Sequence, residues 1–222
     1  MGDRVCLYAL VAGAERPLRA VGIGGEPLRV VRIQGIDSVV GILPRAPKPT
    51  IAAMRRYDKV ERTLMTSYAS VLPARFATCA ATTDVLALSV GDRRAAIRRN
   101  LVLVRRRVQM TVRLFSGPKP RGTRARTASP DADPTSRGAN YLRTRMEDMQ
   151  VPGADRLRPA VARWVRAERS ERHSGGQLAG TLYHLVPRSA VSAYHRALSN
   201  AAVDAGLATV VTGPWPPYAF AE

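Results

Sequence analysis

The last eleven residues of this 222-residue chain, Thr212-Gly213-Pro214-Trp215-Pro216-Pro217-Tyr218-Ala219-Phe220-Ala221-Glu222, place three prolines among three aromatic side chains. They follow a β-branched run, Leu207-Ala208-Thr209-Val210-Val211, which reads as a final strand. Each proline holds φ near its polyproline II value, and that helix repeats every three residues, so Trp215 and Tyr218 are expected on one face of a stiff tail. Chain ends are ordinarily polar and loose. One this apolar docks either on the body of the protein, as a clasp, or on a partner, as an interface.

Composition bounds what the tail can dock on. The length allows one large domain or two small ones, and 45% hydrophobic residues indicate a globular chain. Lys+Arg at 35 against Asp+Glu at 17 give a formal charge of +18, which attracts nucleic acid, anionic lipid or an acidic protein without choosing among them. Cys6 and Cys79 fit neither a disulfide framework, a CxxC redox motif nor a zinc site, and read as buried thiols of a reducing compartment. The opening run from Arg4 through Val11 to Ala12-Gly13-Ala14 has a leader-like outline, but its basic region is a single arginine beside Asp3. A buried first strand fits it better. No stretch approaches the ~18–20 apolar residues that span a bilayer, so a cytoplasmic protein is expected.

From the N-terminus, strands are predicted over 4–11, 28–33 and 36–43, the last two forming a hairpin about Gln34-Gly35. The glycines at 22, 24 and 25 lack the Gly-Lys-Ser/Thr that a phosphate loop needs, and a strand rather than a helix follows. Thr50 caps a helix over 50–68, with Met54, Tyr57, Val60, Leu64, Met65 and Tyr68 on its core face. Asp58 and Glu61 are expected to pair with Arg55 and Arg62 on a solvated face rather than to act as an acid/base pair. In Leu72-Pro73-Ala74-Arg75-Phe76 the arginine looks buried and suited to anchoring its loop.

A second helix is predicted over 83–104, carrying Arg93, Arg94, Arg98, Arg99 and Arg105 opposite its apolar stripe. Residues 106–115 alternate as a strand with one polar face, Arg107, Gln109, Thr111 and Arg113. Residues 116–138, rich in proline, glycine and arginine, read as a mobile basic linker without aromatics for base stacking. Beyond it come short helices over 140–149 and from Asp155, an exposed loop over 168–176, a strand over 177–186, a helix over 188–205 stopped by Gly206, and the final strand and tail. His173, His184 and His195 have no cysteine, serine or carboxylate at triad or metal spacing. No catalytic residue, metal site or cofactor is expected.

The ending Thr212-Gly213-Pro214-Trp215-Pro216-Pro217-Tyr218-Ala219-Phe220 resembles the T-G-P-W-P-P-Y-[ST]-F close of the GvpL/GvpF family of gas vesicle proteins. Leu7-Tyr8-Ala9-Leu10-Val11, Leu72-Pro73-Ala74-Arg75-Phe76, Tyr141-Leu142 and Tyr183-His184-Leu185-Val186-Pro187 resemble further family boxes in order. The chain departs from the pattern at Ala77, where the family has glycine after R-F, at Tyr57, where a histidine is common, and at Gln109-Met110, where a Glu-Trp-like pair is common.

The resemblance implies an α+β fold of two small α+β domains, the C-terminal one ferredoxin-like and closed by the Pro/aromatic tail. The expected boundaries are 1–115, the linker 116–138 and 139–222, with strand 106–115 shared by the C-terminal part. It further implies a non-enzymatic accessory protein of gas vesicle assembly that contacts the hydrophobic shell subunit and other accessory proteins; the alternative is a basic nucleic-acid-binding protein. Trp215, Tyr218 and Phe220 with Arg94, Arg98 and Arg105 are the expected protein-binding residues. Leu72, Pro73, Arg75, Phe76, Gly213, Pro214, Pro216 and Pro217 are the expected structural ones.

Overall fold

The computed structural model describes residues 2–116 and 150–221. Most of the 116–138 segment, the helix expected over 140–149 and the Tyr141-Leu142 pair lie outside the described residues. The fold is mixed α and β, in two compact units, Met1–Gln109 with Pro214–Glu222, and Met110–Gly213.

In the first unit, β1 (Arg4–Ala14), β2 (Arg29–Ile33), β3 (Ile36–Leu43) and β4 (Tyr68–Pro73) form a sheet in the order β2-β3-β1-β4, and β5 (Cys79–Ala80) also pairs with β1. The segment weighed as a leader is therefore an internal strand. Ile33 faces Ile36 across the β2–β3 hairpin, and both turn residues, Gln34 (φ 51°) and Gly35 (φ 72°), take the positive φ of a type I′ turn, whose twist matches the strands it joins. The β1–β3 register slips between Leu7 and Ala9, which leaves Tyr8 as a bulge residue.

The Tyr8 hydroxyl donates to Glu26 and accepts from Ile23 N at 3.0 Å, and Gly24 N donates to the same carboxylate at 2.9 Å. A Cβ at Gly22 would fall 1.9 Å from Glu26 Oε1. The glycine-rich loop thus wraps one of the chain's own carboxylates.

Helix α1 (Ile51–Ser67) starts at Thr50, whose side chain accepts from Ala53 N at 3.2 Å. Tyr57, Val60 and Leu64 enter the core with Tyr8, Val11, Val39 and Val71. Two expectations on this helix are corrected. Met54, assigned to the core face, is 55% exposed, whereas Glu61, assigned to the solvated face, is 0% exposed.

The single helix predicted over 83–104 is two helices, α2 (Thr83–Asp92) and α3 (Arg94–Leu103), broken at Arg93 (φ −107°, ψ 5°) just after Gly91, a poor helix former. Cys6 and Cys79 are not separate thiols, and they give no support to the reducing compartment read from them. They face each other across β1 and β5 and are joined by a disulfide, although 73 residues separate them in sequence.

The second unit runs β6 (Arg107–Phe115), α4 (Ala154–Val161), β7 (Ala167–Arg172), β8 (Leu178–Pro187), α5 (Val191–Asp204) and β9 (Ala208–Trp215), with sheet order β7-β8-β6-β9. Its core gathers Met110, Val112 and Leu114 of β6, Leu157 and Val161 of α4, Leu182 and Val186 of β8, and Tyr194 and Leu198 of α5. The loop expected over 168–176 is largely strand β7, paired antiparallel with β8, and the polar positions Gln109 and Thr111 of β6 are buried.

Candidate functional site

The C-terminal segment from Pro214 belongs to the first unit, where it meets α1. Arg62 is the centre of that contact. Its Nε donates to Asp58 at 2.7 Å, its Nη1 donates to the Pro214 carbonyl at 3.1 Å, and its guanidinium lies over the Trp215 ring, 4.5 Å from the centroid. A cation over an indole face is drawn to the ring quadrupole, and the Asp58 carboxylate holds that cation in place.

Polyproline geometry does not persist through the tail. Past the buried Pro216 and Pro217, residues Tyr218–Phe220 turn into a 3-10 helix, with Phe220 N donating to the Pro217 carbonyl at 3.0 Å. Trp215 and Tyr218 nevertheless reach the same ion pair, because the Tyr218 hydroxyl lies 3.4 Å from Asp58 Oδ1.

Two further bonds fasten the segment: Ala219 N donates to Gln109 Oε1 at 2.8 Å and Arg93 Nη2 donates to the Ala221 carbonyl at 3.4 Å. Phe220, expected among the protein-binding residues, is 2% exposed and lies in the turn that packs on β4, so no partner reaches it in this conformation. Tyr218 is 36% exposed and Trp215 half-buried. Gly213, just before the segment, takes φ 129°, a conformation that side chains disfavour.

Glu61 sits beneath this segment, close enough to Tyr57, Asp58 and Tyr218 for charge to act between them. Neither of its oxygens has a hydrogen-bond partner among the described residues. The nearby Tyr57 hydroxyl points its one proton at backbone carbonyls, Ala74 at 2.7 Å and Tyr8 at 3.0 Å. Burial holds the Glu61 carboxyl well above the usual carboxylate range; the nearby Tyr57 hydroxyl opposes that shift and the Asp58 charge adds to it. Burial and the same two carboxyls push the Tyr218 hydroxyl upward.

The Leu72-Pro73-Ala74-Arg75-Phe76 box is the other half of that tyrosine contact. Leu72 and Pro73 end β4 in the core, and the Phe76 ring meets Tyr57 edge-on at 5.5 Å, while Tyr57 stacks on Tyr8 at 5.6 Å. Arg75, read as buried, is exposed. Its carbonyl opens a turn by accepting from Thr78 N at 3.1 Å. Ala77 occupies the turn position with φ 62°, where the left-handed region favours glycine.

On the outer side of α1, Ile51, Met54, Arg55 and Asp58 line an open groove of about 440 Å³, and Ile51 is 72% exposed. Asp58 belongs both to this groove and to the Tyr218 contact. Arg94, Arg98 and Arg105 lie on the exposed side of α3 and the turn after it.

The second unit holds a polar cluster that sequence spacing did not disclose. The β7–β8 register sets Glu168 opposite His184, with Nε2 to Oε2 at 3.0 Å; Nδ1 lies 2.7 Å from the Tyr194 hydroxyl. Because an ionised carboxylate only accepts, Nε2–H donates to Glu168, and the ring bridges that carboxylate to the Tyr194 phenol. Arg158 grips Glu168 at 2.8 and 3.1 Å and also pairs with Asp155. Burial opposes ionisation of Glu168, but the bonds from His184 and Arg158 outweigh it and bring the carboxyl to about 2. Tyr194 and His184 are wholly buried, and the Glu168 side chain is 23% exposed. Among the described residues no His/Cys/Asp/Glu group is arranged to hold a metal, and no helix is long and apolar enough to cross a membrane.

Two crystal structures share this fold. The gas vesicle protein GvpF from Microcystis aeruginosa superposes with a TM-score of 0.71 at 14% identity, covering 99% of both chains. GvpF from Anabaena sp. PCC7120 gives 0.73 at 13% identity, covering 100% of this chain and 97% of its own. A comparison with curated proteins gives no match. The family model described as gas vesicle synthesis protein GvpL/GvpF matches residues 5–222, and the chain belongs to that family.

Proposed function

We propose that the protein is a non-enzymatic accessory factor of gas vesicle assembly, which binds the hydrophobic shell subunit and co-assembling accessory proteins during nucleation or growth of the vesicle in the cytoplasm. The observation that carries this reading is the family match over residues 5–222. The exposed apolar groove at Ile51 and Met54, continued by Tyr218, supplies a surface for an apolar subunit. Trp215 and Arg62 hold Tyr218 in register beside it, and the arginines of α3 meet acidic residues on a partner.

We also assign the second unit to the ferredoxin-like class; the β-α-β-β-α-β order of its described residues and the strand order β7-β8-β6-β9 support this. The reading is tested by co-expressing the gas vesicle genes with and without this chain and counting vesicles in electron micrographs. Loss or sharp reduction without the chain supports it, and an undiminished count contradicts it.

The +18 charge favours a second reading, nucleic-acid binding. That reading requires oligonucleotide affinity that falls steeply with salt and does not depend on Trp215.

A further inference from the structure

We propose that the face of α3 bearing Arg94, Arg98 and Val102, continued by Arg105 in the turn after the helix, is a docking surface for an acidic amphipathic helix of a protein partner, with the Arg94–Arg98 pair as its carboxylate-binding end. At 100° and 1.5 Å per residue Arg94, Arg98 and Val102 fall within about 80° of arc, in a row roughly 12 Å long, and Arg105 follows in the turn that ends the helix. The three arginines are exposed, and none has a carboxylate partner among the described residues. By contrast Arg62, Arg106 and Arg158 are each paired.

Two features make the row more than scattered surface charge. First, the Nη2 atoms of Arg98 and Arg94 lie 3.4 and 3.5 Å from the single point that a Cβ on Gly35 would occupy. Two cations one helical turn apart, converging on one point above a glycine turn, repel each other unless an anion sits between them. The first turn of α3 contains no acidic residue to relieve this, and the positive end of the helix dipole adds to it.

Second, Val102 stands within the basic row and is 73% exposed. A polyanion has no use for an apolar group at that place, and neither α2 nor α3 carries an aromatic side chain for base stacking. A helix laid along α3 does use it, because carboxylates at i, i+4 and i+11 meet Arg94, Arg98 and Arg105 while an apolar residue at i+8 covers Val102. Guanidinium forks suit paired carboxylates of this kind.

This deepens the accessory-protein reading and rests on it only in taking the occupant to be a protein. The test uses the full chain and three fluorescent probes: a synthetic helical peptide with glutamates at i, i+4 and i+11 around a leucine at i+8, a permuted peptide of the same composition, and a single-stranded oligonucleotide. Binding is read by anisotropy at moderate salt. The ordered peptide is expected to bind the native chain and to lose about tenfold or more in affinity with Arg94→Glu/Arg98→Glu, a change of about 1.4 kcal/mol. The exposed pair Arg19→Glu/Arg45→Glu, of equal net charge, is expected to leave the affinity unchanged.

Val102→Ser, which adds no charge, is expected to weaken the ordered peptide and not the permuted one. Equal binding of the two peptides, equal loss in both charge-reversed variants, or an oligonucleotide that outcompetes the ordered peptide would each overturn the proposal. If the Arg94→Glu/Arg98→Glu chain binds the peptide as the native chain does, while capture of the gas vesicle structural protein is intact, the docking proposal fails and the proposed function stands. If capture is absent while the peptide behaves as expected, the reverse holds.

Discussion

The Arg62 guanidinium lies 4.5 Å from the centroid of the Trp215 ring while its Nε is bonded to Asp58 at 2.7 Å, so a residue seven from the end is held by an ion pair on the first long helix. Trp215 is one of several fastenings, because Ala219 N is bonded to Gln109 and Phe220 is in the core. Trp215→Ala is therefore expected to cost about 1–2 kcal/mol and leave a folded protein. Phe220→Ala is expected to cost about 3–5 kcal/mol. Urea denaturation of both variants checks this, and a Trp215→Ala chain that does not fold would make the ring itself the clasp.

Glu61 makes stability depend on pH in the opposite sense to an ordinary ion-paired acid. Its folded value is raised above 4.5, so its contribution is fully present below about pH 4.5 and is lost as pH rises through the folded value. Within that window the loss approaches about 1.4 kcal/mol per pH unit. Glu61→Gln, a neutral mimic of the protonated acid, is expected to match the native protein at low pH and exceed it at neutral pH. Denaturation at several pH values decides this, and a glutamine variant less stable at neutral pH would contradict it.

Glu168 titrates the other way. Its carboxyl is lowered to about 2, so the stabilisation from Arg158 and His184 is present above about pH 4.5 and disappears as pH falls through about 2. Glu168→Gln is expected to cost about 1–3 kcal/mol at neutral pH, with the difference shrinking on acidification. A deficit independent of pH would show that the charge is not what matters.

Ala77→Gly is expected to stabilise. Holding an alanine at φ 62° costs about 1–2 kcal/mol, and the greater freedom of glycine in the unfolded chain returns about 0.4–1, for a net gain of roughly 0.5–1 kcal/mol. A lower melting temperature in the glycine variant would show that the turn tolerates the side chain.

Local chemistry made much of this legible in the sequence. The Gln34-Gly35 turn, the Thr50 cap and the apolar runs of β1 and β3 depend on neighbours a few residues away, and each is present. What stayed hidden depends on distant partners. An acid beside Arg62 reads as a surface residue until Tyr218, 157 positions further on, is folded against the helix.

Ala-Glu-Arg-Ser-Glu-Arg shows no apolar period because β7 is an edge strand with one neighbour, and only its register with β8 brings Glu168 to His184. Gln109 reads as the polar side of a strand, whereas its amide oxygen serves the tail backbone. The glycine that the family carries after R-F was the one available signal for the strained turn, and Ala77 departs from it at the residue with positive φ.

An apolar contact with the vesicle shell is tested by capturing the co-expressed gas vesicle structural protein on the tagged chain, with nuclease throughout, at low and moderately high salt. The native chain is expected to retain the shell protein at both salt concentrations, and Met54→Glu, an exposed change in the groove, to lose it while remaining folded. Capture of nucleic acid alone, abolished by salt, or retention unchanged by Met54→Glu, would contradict the account.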